Sequence, residues 1–110
     1  MSAPDADTAL RIARALVGER LIACANVLPA ATSVYRWEGE VREEAEALML
    51  MKTRTALLPR LFERAAEMHP YQVPELLAGP VAAGLAAYCG WVMDETAAVQ
   101  NGISQRDPSV

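Results

Sequence analysis

Seven residues past the middle of the chain, His69-Pro70-Tyr71-Gln72-Val73-Pro74-Glu75, restrict the backbone more than any other stretch. Each proline holds its own φ near about −65° and pushes the preceding residue out of the helical region. His69 and Val73 are therefore biased toward extended geometry, and two backbone donors are lost. Any helix before this segment must end there, and the chain must leave it in a direction set locally. The segment reads as a junction, and by itself it names no reaction.

The rest of the chain is short and apolar. Its 110 residues make one domain, and 53% of them are hydrophobic, much of that alanine. A small domain buries only part of its surface, so an apolar surplus points to a subunit interface more than to a large core. Ten basic against fourteen acidic side chains leave a net charge of −4, with no run of Lys or Arg, which argues against a nucleic-acid partner. No apolar run reaches the ~18 residues of a membrane helix, and the start Met1-Ser2-Ala3-Pro4-Asp5 shows no signal peptide. Cys24 and Cys89 match no zinc spacing, so reduced thiols in the cytoplasm are expected.

Local patterns place the elements. A first helix is expected over about 6–18, capped by Asp5 or Asp7, with Leu10, Ala13, Leu16 and Val17 on one face and Gly18 as its stop. Residues 20–27 read as a buried strand that Pro29 bulges or bends, and 32–37 continue it. Glu38-Gly39-Glu40 is a turn. Residues 45–53 suit a helix by composition, yet their shortness and the turn before them favour a strand. A second helix over 56–68 carries Leu58, Leu61, Phe62, Ala65 and Met68 as its stripe, with Pro59 in the first turn. A short strand over 73–78 and a last helix over 84–94 complete the order α-β-β-α-β-α. That is an α+β, ferredoxin-like βαββαβ fold with a C-terminal helix added and the first strand missing. The domain is expected over 1–96, followed by a flexible tail over 97–110.

Several of these stretches together resemble the CutA family of divalent-cation-tolerance proteins. They are Ala23-Cys24-Ala25-Asn26-Val27 with Pro29, Ser33-Val34-Tyr35-Arg36-Trp37-Glu38-Gly39, Lys52-Thr53, the His69–Glu75 junction, and Tyr88 with Trp91. The resemblance covers about residues 2–96. It implies a homotrimer, similar in architecture to PII signalling proteins, in which a long bent hairpin pairs with neighbouring subunits. It also decides 45–53 as a strand. In that pattern Ser2-Ala3-Pro4-Asp5 ends a first strand whose apolar body is absent. Without it a central gap of ~10 Å would open in the sheet, and the expectation is a truncated or misassigned start.

The resemblance to copper-tolerance proteins makes Cys24 and His69 the candidate metal ligands, since a thiolate beside an imidazole suits copper, Cu(I) above all. Each has a plainer reading. A histidine at a helix end before proline commonly bonds a carbonyl, and a cysteine in a buried strand packs as a small apolar group. Tyr35, Trp37, Tyr71 and Trp91 suit an inter-subunit cleft or simple interface packing. Lys52 could meet an anion there or form a surface salt bridge, and Glu75 would need a second converging acid for acid–base work. The reading is a cytoplasmic, homotrimeric metal- or ligand-binding protein without catalysis, with copper or another divalent cation as its ion. Two alternatives stand beside it: a PII-like small-molecule signalling module, and a small enzyme using an inter-subunit cleft.

Overall fold

The computed structural model describes residues 1–98. The expected tail therefore lies, from residue 99 onward, outside the described residues. The elements are β1 (Ser2–Ala3), α1 (Ala6–Gly18), β2 (Cys24–Trp37), β3 (Glu40–Lys52), a 3-10 turn (Thr55–Leu57), α2 (Leu58–Met68) and α3 (Ala86–Glu95). The strands form one antiparallel sheet in the order β1-β3-β2. The fold is α+β, as the sequence implied.

β2 and β3 make one long hairpin. Their register runs from Cys24 opposite Lys52 to Trp37 opposite Glu40. Only Glu38 and Gly39 link them, both at positive φ, 50° and 79°. A two-residue hairpin turn of this hand matches the strand twist, and glycine adopts it without strain. The two strand segments expected on either side of Pro29 are one strand. The register slips between Leu28 and Ala31, so the proline, which has no N–H to give, sits in a bulge. Residues 45–52 are strand, with Ala47 and Met49 buried and the alternating Leu48 and Leu50 exposed, and only Thr53 of the expected stretch lies outside it.

α1 lies where its cap and periodicity placed it. The Asp5 carboxylate accepts the Thr8 N–H at 2.8 Å, which holds the carboxyl below its usual pKa. The buried stripe is Ala9, Ile12, Ala13 and Leu16, whereas Val17 faces solvent. Gly18 is the last helical residue, and the left-handed position falls instead on Arg20, at φ 61°. Leu21 N–H bonds the Leu16 carbonyl and Arg20 N–H bonds that of Val17, both at 3.0 Å. These two bonds define a Schellman close, and its companion apolar contact is Leu21 against Leu16.

The main core joins α1, α2, β3 and the approach to β2. It contains Ile12, Leu16, Leu21, Ile22, Met49, Leu57, Leu61 and Ala65. Pro59 sits in the first turn of α2, where an orphan N–H is no loss. α3 is held by two arginines from elsewhere in the chain. The buried Arg54 donates from Nε to Thr96 Oγ1 at 2.9 Å and from Nη2 to the Met93 carbonyl, and Arg20 Nη2 donates to the Asp94 carbonyl at 2.8 Å. Cationic donors at a helix C-terminus satisfy its free carbonyls and oppose its dipole.

One expected element is absent. Residues 73–78 form no strand, and Val73 and Leu77 stand exposed. A strand needs a hydrogen-bonding edge, and β1 is only two residues long. The edge strand of the sheet on that side, β1, is too short to carry a strand of this length.

Leu16 and Val17 test this packing because they are adjacent and differ in burial. Leu16→Ala is expected to cost about 2–5 kcal/mol, and Val17→Ala within about 0.5 kcal/mol. Urea unfolding measures both. Equal losses would mean that the buried face of α1 is misplaced.

Candidate functional site

The residues singled out by sequence fall into three groups spaced along the hairpin. Trp37 pairs with Glu40 at one end and Cys24 with Lys52 at the other. Twelve residues of β3 separate the two ends, roughly 40 Å at strand spacing. A single subunit therefore cannot gather Tyr35, Trp37, Lys52 and Trp91 into one pocket.

The first group lies where β2 begins and β3 ends. Cys24 Sγ is 3.5 Å from Tyr88 Oη, and either atom can donate. The thiol bond raises the Tyr88 pKa, so the phenol keeps its proton at neutral pH. The Tyr88 and Trp91 rings lie 5.6 Å apart, tilted by 40°. Lys52 Nζ donates to the Asn26 side-chain oxygen. A thiol, a phenol, an ammonium and an indole thus border one half-exposed end of the sheet. The turn of α3 that brings Tyr88 onto Cys24 was not readable as a contact, since the two are 64 positions apart in the chain.

His69 anchors the second group. It caps α2 in extended geometry, as its proline neighbour requires. Nδ1 accepts the Tyr71 N–H at 3.1 Å, and Nε2 lies 2.7 Å from the Ser2 carbonyl. A carbonyl only accepts, so the ring proton sits on Nε2 and is donated to Ser2. Both nitrogens of this buried imidazole are in use, and a metal bound there would displace one of these bonds. Tyr71 stacks obliquely on His69 with centroids 4.8 Å apart and donates its hydroxyl to Glu46 Oε2 at 2.8 Å.

Cys24 and His69 are not neighbours within the subunit. Ser2, bonded to His69, sits opposite Leu48 on one edge of β3, and Cys24 sits opposite Lys52 on the other. Four residues of β3 and two strand spacings separate them, roughly 15 Å. Among the described residues no three His, Cys, Asp or Glu side chains gather as a metal set. The third group is the hairpin tip, where Tyr35 bonds Glu44 and Trp37 is half-exposed. That bond raises the Tyr35 pKa. Glu75 is exposed on the junction and attracts the N-terminal amine electrostatically.

Burial first, and then the Glu46 hydrogen bond, push the Tyr71 pKa up to about 12. The bond needs the phenol proton. Its contribution is complete below about pH 10, the ordinary tyrosine value, and is lost as pH rises toward about 12. Ultraviolet titration is expected to show a late-ionising tyrosine that Tyr71→Phe removes and Glu46→Gln shifts downward. An unmoved transition in Glu46→Gln would assign the whole shift to burial.

Residues 1–95 match the family model described as CutA1 divalent ion tolerance protein. The divalent-cation tolerance protein CutA of Thermus thermophilus is 48% identical over 96 residues, covering 87% of this chain and 93% of that protein. Its solved structure superposes with a TM-score of 0.85 over the same shares of the two chains. The rice CutA1 crystal structure gives the same TM-score at 38% identity, covering 87% of this chain and 88% of that one. Mouse protein CutA is 43% identical over 92% of this chain, which spans only 57% of the longer mouse protein. The chain belongs to the CutA1 divalent ion tolerance family.

Proposed function

We propose that the chain acts in the cytoplasm as a homotrimeric protein of divalent-cation tolerance that binds a metal ion or small ligand, without catalysis, where subunits meet. The observation that carries this reading is the hairpin. The molecule measures 48 × 27 × 25 Å, and along the β2–β3 ribbon Val34, Trp37, Val41, Leu48 and Leu50 are all exposed. A two-stranded ribbon is marginal alone in water and is stabilised by packing against further strands or helices. Apolar positions repeated along its length supply a surface for other subunits, with the aromatic enrichment of an interface. The number three rests on the resemblance to PII-like trimers.

The separation of donor groups supports binding between subunits. Cys24, Tyr88 and Lys52 lie at one end of the ribbon, and Tyr35 and Trp37 at the other. Packing one subunit's tip near another's base would bring complementary groups together. Copper is the first ion to test. Divalent first-row metals bind given nitrogen, oxygen or sulfur donors most tightly at Cu(II), and thiolates favour Cu(I). Cys24 is the soft donor, whereas His69 is committed to Ser2 and Tyr71.

Sedimentation is expected to find trimers for the native chain and smaller species for the double variant Trp37→Glu, Val41→Glu. A monomeric native chain at micromolar concentration, or an intact trimer in the variant, would overturn the assembly. Calorimetric titration with Cu(I) and Cu(II) tests the ligand. Cys24→Ala is expected to weaken copper binding about tenfold or more, equivalent to about 1.4 kcal/mol. His69→Ala is expected to lower the melting temperature of the metal-free protein. A copper response unchanged in Cys24→Ala would reject that thiol as a ligand.

A further inference from the structure

Two oxidisable side chains meet at the base of the hairpin. Cys24 opens β2, Tyr88 lies in the first turn of α3, and Sγ stands 3.5 Å from Oη. The Trp91 ring packs 5.6 Å from that of Tyr88 and steadies it beside the thiol. Cys24 is half-buried and Tyr88 is 46% exposed, so a small solute reaches the pair from water. Sulfur is a weak hydrogen-bond partner, so the contact itself adds little to stability.

Thiols and phenols are among the side chains that give up a single electron most readily. The Cys24 contact favours the neutral phenol, so at neutral pH Tyr88 keeps its proton until it is oxidised. Removing one electron turns the phenol into a strong acid, and its proton leaves to water. The spin of the phenoxyl left behind rests on Oη and on the ring carbons ortho and para to it. The ortho carbons adjoin the carbon that bears Oη, which places the nearer one within the reach of Sγ. A cysteine sulfur is the natural nucleophile for that position.

We propose that Cys24 and Tyr88 form a covalent modification site, where two equivalents of a one-electron oxidant join Sγ to an ortho ring carbon of Tyr88 as a thioether. The first equivalent takes an electron from the phenol as the Oη proton leaves. Sγ then bonds the ortho carbon and the thiol proton leaves. The second equivalent takes an electron from the ring, the ortho carbon releases its hydrogen as a proton, and Oη regains one. In sum an S–H and a C–H bond break, a C–S bond forms, two protons pass to water, and each equivalent of oxidant is reduced once, as Cu(II) is to Cu(I). The link closes a loop across 64 chain positions and ties α3 to the start of β2. It removes freedom from the unfolded chain.

The test treats the full chain, without air, in two arms. One receives two equivalents of hexachloroiridate(IV), an outer-sphere oxidant that needs no metal site, and the other two equivalents of Cu(II). Tandem mass spectrometry of a tryptic digest is expected to find the peptide carrying Cys24 joined to the one carrying Tyr88. The joined pair is two hydrogens lighter than its parts and survives dithiothreitol. Cys89, the chain's other thiol, lies next to Tyr88, so Cys89→Ser must keep the link. Cys24→Ser and Tyr88→Phe, both conservative changes, are expected to lose it completely. The linked protein is expected to melt several degrees higher than the untreated one. A link in either arm supports the site, and a link with iridate alone counts against copper reaching Cys24. No link in either arm, a link that dithiothreitol cleaves, or dityrosine between molecules in its place would overturn the proposal.

Discussion

The antiparallel pairing of β2 with β3 is the constraint from which the other features follow. It runs through twelve residue pairs with one slip at Pro29. Its base carries the core: Met49 and Ala47 project onto α1, and Ala23 N–H reaches the Lys52 carbonyl where the hairpin joins the helical layer. Among the described residues no helix covers its outer half. One ladder thus makes a stable domain at one end and an unpartnered apolar ribbon at the other. The same alternation that buries Met49 exposes Leu48 and Leu50, so the core face and an exposed apolar face belong to one strand.

The ladder also explains why chemistry is dispersed. Candidate residues entered through separate motifs, and each motif sits at a different height on the hairpin. Cys24 and Lys52 are paired across strands; Tyr71 and His69 reach β3 near Glu46 and Ser2; Tyr35 and Trp37 are at the tip. Within one subunit these are three small hydrogen-bonded clusters. No single cleft of one subunit holds them all.

Local signals were legible wherever a residue's own backbone chemistry decides the outcome. Pro29 makes a bulge, Pro59 opens α2, Pro70 ends it by forcing His69 extended, and Asp5 caps α1. The two-residue turn at Glu38 and Gly39 follows from their positive φ. Finer assignments failed where two residues compete for one role. Gly18 is the better left-handed residue, yet Arg20 takes that position, because the close then buries Leu21 against Leu16 and frees a guanidinium for the end of α3. Ile12, not Leu10, joins Ala9 and Leu16 on the fully buried face of α1, a rotation of the stripe that periodicity alone resolves poorly. Arg54 gave no signal at all, since its role depends on the Thr96 hydroxyl and the Met93 carbonyl, about 40 positions away.

The sequence by itself determined the element types outside 73–78, the hairpin turn, the junction at Pro70 and the family, all of which rest on torsional preference and residue pattern. Tertiary structure alone decided whether residues 73–78 become a strand and whether Cys24 meets His69. Both outcomes depend on what stands on the far side of a gap. A strand exists only against an edge, and a ligand pair only within bonding distance. In the β1-β3-β2 sheet the edge strand β1 is only two residues long, too short to carry 73–78, and the thiol and the imidazole lie on opposite sides of β3.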